Sequence, residues 1–337
     1  MPHTLSLCVR QTAILSDRTQ GEILTRTSDI DVLISEVGPR DGLQSVSATM
    51  TTENKLRWIA ALADAGVREI EVGSFVPARS LPQLADTAQV VVQAQEIADL
   101  TVIGLAPNAR GVADAIVAGV HTVSMPVSAS ESHNLRNLGR TCAESVEQVK
   151  RARELVDAAG AAGPRLDVGV STAFGCTIEG KVSEDRVIDL AVQLADAGAH
   201  SVGLSDTTGY ANPASVRRLF ARLSAELGDR AGAAHLHNTR GQGLANVVAA
   251  LDAGVRTFDS SQAGLGGCPW APGATGNIVT EDLVFLLEAM GLRTGIDVDA
   301  LNEGRKILRE ALPGEPLYGS VPDAGLPLGF EYAGAHA

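Results

Sequence analysis

The sequence predicts an α/β protein: a (β/α)8 TIM barrel with a short C-terminal helix and an irregular tail. Three observations predict it. From residue 31 onward, short β-branched runs alternate with longer segments of helical spacing. The alternation repeats eight times at roughly thirty-residue intervals, as a closed parallel barrel requires. The turn after the first run is Gly38-Pro39-Arg40-Asp41-Gly42, not the G-x-G-x-x-G turn of an open nucleotide-binding sheet.

The runs, in order, are Val32–Val37, Glu69–Gly73, Thr101–Leu105, Thr122–Pro126, Leu166–Thr172, Ser201–Leu204, Ala233–Leu236 and Thr257–Ser260. Between them Lys55–Ala65, Ala143–Ala159, Val187–Ala197 and Ser215–Leu227 carry apolar residues at helical spacing. Several helices end in an Ala-Gly-Val or Ala-Gly-Ala turn, as at Ala118-Gly119-Val120 and Ala253-Gly254-Val255. Glycine there supplies a left-handed cap, and the next strand starts at once. Glu281–Gly291 reads as the closing helix and 297–312 as one more. The Pro- and Gly-rich stretch Pro313–Ala337 reads as an arm packed on the surface. The chain divides into an N-terminal arm (1–28), a catalytic barrel (29–296), and a C-terminal helix and tail (297–337). The arm holds Arg10, Arg18 and Arg26 but also Asp17 and Glu22, so it reads as mobile or loosely docked rather than as an organelle-targeting peptide.

Composition narrows the function. The 337 residues carry a net charge of −13, which disfavours nucleic acid and anionic membranes as partners. No apolar run approaches the length of a membrane span. An anionic substrate must then meet a local positive centre, either arginine or a metal ion. Cys8, Cys142, Cys176 and Cys268 form no CxxC pair and read as free thiols in a reducing cytoplasm.

Chemistry in a parallel barrel sits at the C-terminal ends of the strands, and here nearly every strand end delivers a polar group. His235 and His237 are two apart on a strand, so both imidazoles point to one side and converge as metal ligands do. Asp41 sits at the first strand end, where it can ligate a metal, although Asp-Gly is also ordinary turn chemistry. Arg40 beside it can bind a carboxylate or a developing enolate oxygen. Asn277 adds a neutral oxygen. Such a mixed N/O set suits Mg²⁺, Mn²⁺ or a similar octahedral ion better than structural zinc. Cys268 ends the glycine-rich run Gly264-Leu265-Gly266-Gly267. A thiol near a metal can move a proton, and the glycines could also cradle phosphate.

Together these residues resemble the 3-hydroxy-3-methylglutaryl-CoA lyase family over roughly residues 30–295. The resemblance is carried by Glu36–Gln44, Ile70-Glu71 with Ser74–Val76, Ser205–Thr207, His235–His237, and the specific run Ala263–Pro269 with Gly276-Asn277 and Thr280–Leu283. It implies that Asp41, His235, His237 and Asn277 hold a divalent cation, Mg²⁺ or Mn²⁺. It implies that Arg40 stabilises the enolate of a CoA thioester and that Cys268 supplies or removes a proton. Glu71, Asp206 and Glu281 match residues that shape the site or assist proton transfer. The expected substrate is an acyl-CoA thioester, and the expected state is a cytoplasmic homo-oligomer, dimer or tetramer.

One residue departs from the pattern. Asn238 follows His237 where the family usually has aspartate, which removes a negative charge beside the metal. Three other readings compete: a condensing enzyme related to isopropylmalate or homocitrate synthase, a ketoacid aldolase that needs no coenzyme A, and a non-catalytic metal-binding paralogue. Only about forty residues follow the closing helix, whereas the condensing enzymes typically carry further C-terminal domains.

Overall fold

A computed structural model of the chain describes residues 29–266 and 276–335. The N-terminal arm and Cys268 lie outside the described residues. Eight parallel strands, each paired with the next, close into a barrel when β1 pairs with β8. They are β1 (Leu33–Glu36), β2 (Glu69–Ser74), β3 (Thr101–Leu105), β4 (Thr122–Ser128), β5 (Arg165–Ser171), β6 (Ser201–Ser205), β7 (Ala231–His235) and β8 (Thr257–Ser260). The helices between and after them are α1 (Thr52–Asp64), α2 (Thr87–Ala94), α3 (Ala109–Ala118), α4 (Glu131–Leu138), α5 (Cys142–Ala158), α6 (Glu184–Asp196), α7 (Pro213–Leu227), α8 (Gly243–Asp252), α9 (Thr280–Ala289) and α10 (Val298–Ala311).

Strand alternation decides which residues form the core. Ile34, Val102, Leu166, Val202, Leu204 and Phe258 point outward and are fully buried beneath the helices. Burying each such side chain contributes roughly 1.5–3 kcal/mol. The opposite, inward positions hold small or polar residues. Side-chain caps start the helices: Thr51 accepts from the Asn54 N–H, Asn108 from Gly111, and Asn212 from Ser215. Gly119 ends α3 at φ +84°, the left-handed cap that the Ala-Gly-Val turn predicts.

Helix α10 packs on α1, and the Asp297 N–H donates to Ala65 O at 2.8 Å. The tail then returns to the barrel mouth, where the Tyr318 N–H donates to Ala263 O at 2.9 Å. Among the described residues no helix is long and apolar enough to cross a membrane.

Candidate active site and metal centre

At the end of β1 the chain makes one wide turn over Gly38–Gly42. Val37 O accepts from the N–H groups of Arg40 at 3.1 Å, Asp41 at 2.7 Å and Gly42 at 3.4 Å. Wide turns of this kind recur at functional sites. This one lifts Arg40 and Asp41 into the barrel mouth. Glu36 supports the turn from below, accepting from the N–H groups of Gly38 at 2.8 Å and Gln262 at 2.9 Å and from the Thr280 hydroxyl at 2.6 Å.

The two histidines converge, but not by strand alternation alone. Strand β7 stops at His235, two residues short of His237. Beyond it the backbone runs antiparallel to 276–278, with the Ile278 N–H on Leu236 O at 3.1 Å and the Asn238 N–H on Gly276 O at 3.3 Å. That short ladder sets His237 directly opposite Asn277. His235 Nε2 and His237 Nε2 lie 3.0 Å apart, and His235 Nε2 is 3.9 Å from Asp41 Oδ2. The possible ligand atoms of Asp41, His235 and His237 all fall within 4.8 Å of one another.

The polar atoms around this point fit a cation. The Asn277 amide donates through Nδ2 to Asp41 Oδ2 at 2.7 Å and to Leu265 O at 3.2 Å. Its Oδ1 is buried without a hydrogen-bond partner, and so is His237 Nδ1. Unpartnered buried oxygen is costly, and a metal ion removes that cost. Neighbouring ligand atoms at about 2.1 Å from one octahedral ion stand about 3 Å apart, which matches the two imidazole nitrogens. The protonation states of His237 and Asp41 agree with a cation, and that of His235 is set by its carboxylate neighbours. Burial, then the adjacent His235, pushes His237 down to about 3, so its imidazole is neutral. Burial works against the Asp41 carboxylate, but Arg40 and both histidines outweigh it and hold its pKa below the usual range. Burial disfavours charge on His235 as well, yet Asp259 and Asp41 win and raise its pKa.

Residues behind the ligands fix them. Asp259, from the inner face of β8, accepts from His235 Nδ1 at 3.0 Å. That bond leaves Nε2 for the metal, the usual carboxylate–histidine arrangement. Gln44 donates to Asp41 Oδ1 at 2.6 Å. The sequence reading passed over both. Asp259 stands out only once the register sets it level with His235 on the inner face. Asn238 takes no such role. Its Oδ1 accepts from the Gly243 N–H at 3.0 Å, at the start of α8. The orienting carboxylate is Asp259, so the departure at residue 238 leaves the support of His235 intact.

Arg40 donates through Nη1 to Asp41 Oδ1 at 2.6 Å and through Nε to Glu71. Burial pushes the Glu71 carboxyl up, against the pull of Arg40. Glu71, Asp206 and Glu281 do not line the cavity that holds Arg40, Asp41, His235 and His237. Each braces something that does. Glu71 aims Arg40. Asp206 Oδ1 accepts from the Tyr210 N–H at 2.8 Å and from Ala211 at 3.1 Å, closing the loop after β6. Burial raises the Asp206 carboxyl to about 6. Glu281 pairs with Arg305 of α10 at 2.8 Å and accepts from the Ala263 N–H at 3.1 Å, where the glycine-rich run begins.

The Glu281–Arg305 pair is fully buried. Removing one partner strands a charge in the interior, so Glu281→Ala is expected to cost about 3–5 kcal/mol of stability. Chemical denaturation checks it, and an unchanged midpoint would show that the pair contributes nothing.

The cavity measures about 620 Å³. Ser74, Asn108, His133, Ser171, Ser205 and Thr207, which the sequence places at strand ends, all line it. Glu131 does not; it faces Arg186 at 3.4 Å on the outside. Val76, Leu81, Leu105 and Leu138 add an apolar wall.

Comparison with known proteins agrees with this geometry. The HMGL-like family model matches residues 31–307. The hydroxymethylglutaryl-CoA lyase of Bacillus subtilis is 39% identical over 286 residues, 85% of this chain and 94% of the relative. A Pseudomonas aeruginosa protein named 3-hydroxy-3-isohexenylglutaryl-CoA/hydroxy-methylglutaryl-CoA lyase is 38% identical, over 82% of this chain and 91% of its own length. An HMG-CoA lyase from Acinetobacter baumannii, solved in complex with coenzyme A and 3-methylmalate, superposes with a TM-score of 0.82 at 38% identity. That match covers 89% of this chain and 97% of the other.

Proposed function

The chain belongs to the HMGL-like family, and from that premise we propose that it cleaves 3-hydroxy-3-methylglutaryl-CoA, or a close 3-alkyl analogue, to acetyl-CoA and acetoacetate or its analogue. One observation carries the reading. A carboxylate, two imidazole nitrogens and an orphaned amide oxygen meet beside a buried arginine on the floor of a cavity. Condensing enzymes and coenzyme A-independent aldolases lose support, because the relatives matched along most of the chain are lyases.

Asp41, His235, His237 and Asn277 are the residues that would hold the ion, Mg²⁺ or Mn²⁺ by their donor chemistry. When bound, such an ion acidifies an alcohol and polarises a neighbouring oxygen. The protein's own groups supply the rest. The tertiary hydroxyl gives up its proton to water in the cavity, and its oxygen becomes the ketone of the product. The C2–C3 bond breaks, and its electron pair moves into the thioester as an enolate. Arg40, held on two sides by Asp41 and Glu71, presents fixed positive charge to that enolate oxygen. A proton returned to C2, in this reading from Cys268, completes the acetyl group.

The test is a panel of 3-hydroxyglutaryl-CoA analogues with Mg²⁺ or Mn²⁺, reading acetyl-CoA release. Release from the methyl compound supports the proposal, and no release from any thioester refutes it. The apolar wall of the cavity, and a relative named for both isohexenyl and methyl substrates, favour including longer alkyl groups.

Arg40→Gln is expected to lower kcat by about 10²–10³ with little change in KM, because the enolate charge exists only after binding. Arg40→Lys is expected to rescue poorly, since one ammonium cannot reproduce the fork that binds Asp41 and Glu71. Steady-state kinetics on both variants decide it.

A further inference from the structure

Below the metal site the barrel is not filled in the ordinary way. Parallel barrels are packed inside by layers of branched side chains. Here the inward positions of β5 to β8 include Gly169 and Asp259, which line the mouth cavity, and nearer the N-terminal face Asp167, Ser201, Gly203 and Ala233, each only partly buried. Their outward neighbours Val168, Val202, Ala234 and Phe258 are closed. A Cβ added at Gly169 would meet only Ser205 Oγ, at 3.7 Å. Space lined by polar groups holds water readily, whereas apolar space stays dry.

The strand register carries a row of polar side chains away from the ligands. His235 is level with Asp259, Asp259 with Ser35, and Ser35 with Glu69. Level residues on neighbouring strands point to the same face, so the row lines the lumen. His235 Nδ1 reaches Asp259 Oδ2 at 3.0 Å, and Ser35 stands beside Glu69 in the register. Glu69 opens β2 and therefore stands at the N-terminal face, opposite the substrate mouth. Arg165 and Asp167, 3.3 Å apart, stand at the same end. The groups facing Glu69 are Ser35, Asp167, Asp259 and Arg165. Burial, with the charges of Asp167 and Asp259, raises its carboxyl to about 7, against Ser35 and Arg165.

We propose that the lumen is a water-filled back passage and that Glu69, at its lower end, relays protons between the site and the solvent at the N-terminal face. The need for it rests on the lyase reading. The hydroxyl proton leaves to water in the site and Cys268 gives a different proton to carbon, so the site must shed one proton and the thiolate regain one while a thioester covers the mouth. Each relay event moves one proton. The Glu69 carboxylate takes it from water on the site side and releases it to water beyond Asp167, or the reverse, and no electrons move. Glu69 touches no reacting atom; it acts through the water between.

The experiment uses the full-length, metal-loaded protein with Glu69→Gln, and Ser201→Leu as a plug in the lower lumen. For both, kcat is expected to fall roughly tenfold, less than the loss of a direct proton donor. KM stays near wild type, the solvent deuterium isotope effect on kcat rises, and the dependence of kcat on pH near neutrality flattens in Glu69→Gln. A second measurement is independent of turnover: the infrared band of a protonated carboxyl, titrating near pH 7 in wild type and missing in Glu69→Gln. Isotope effect and pH profile unchanged in both variants of an active enzyme would overturn the relay. So would a wild-type spectrum without that titrating band. An inactive wild type would sink the lyase reading instead and leave the infrared result to judge the relay.

Discussion

His237→Ala is expected to weaken metal binding and to lower kcat/KM by about 10³-fold or more. A bound ion contributes several kcal/mol to stabilising developing charge, and each 1.36 kcal/mol is a factor of ten in rate. His237 is the cleanest ligand to remove. Asp41 also anchors Arg40, Gln44 and Asn277, and His235 is tied to Asp259. Among the described residues the His237 ring bonds only His235, through Nε2, and its Nδ1 is unpartnered. Truncation there removes a donor and disturbs little else. Mn²⁺ binding followed by electron paramagnetic resonance or calorimetry should weaken in parallel with rate. Chelator treatment of the wild type should abolish cleavage, and Mg²⁺ or Mn²⁺ should restore it. Full activity after stripping the metal would refute the metal model outright.

Cys268→Ala is expected to cost on the order of 10²–10⁴ in kcat, the range for a positioned proton-transfer group. Binding of a non-cleavable thioester should be unchanged, because the thiol acts after the C2–C3 bond has opened. Cys268→Ser separates proton transfer from packing: a hydroxyl fills the same space but is a far weaker acid than a thiol. A near-wild-type rate in either variant would remove Cys268 from the mechanism.

Much of this site was legible in the sequence, for reasons that differ between residues. The barrel followed from outward apolar runs of fixed spacing, and all eight strands lie within a few residues of where those runs fall. Arg40 and Asp41 were legible mainly through the resemblance, because an Asp-Gly pair after a strand is also ordinary turn chemistry. His235 and His237 were legible as a pair, but their convergence depends on the ladder to 276–278, which no local spacing encodes. The resemblance marked Glu71, Asp206 and Glu281 as important. It could not say whether a carboxylate faces the cavity or braces its wall, because that depends on contacts with Arg40, the 210–211 backbone and Arg305. Asp259 was missed because one polar residue in a short strand looks like any other until the strand beside it is known.

Gly266 and Gly276, on either side of the segment that carries Cys268, stand beside two of the proposed metal ligands or beside each other. Gly266 lies so close to Asn277 that a Cβ there would fall 2.6 Å from Asn277 Nδ2 and 3.2 Å from the Asp41 backbone. Gly276 packs on Gly264 and Gly266 with a would-be Cβ only 2.1 Å from Gly264 O. Force applied between residues 266 and 276 therefore reaches two of the four ligands without an intervening side chain. On the proposed function, any effect of a bound thioester on the affinity for the ion is matched by an effect of the ion on the affinity for the thioester by the same factor. Titrating a divalent ion against a non-cleavable thioester, and the thioester against the ion, measures the strength of that linkage.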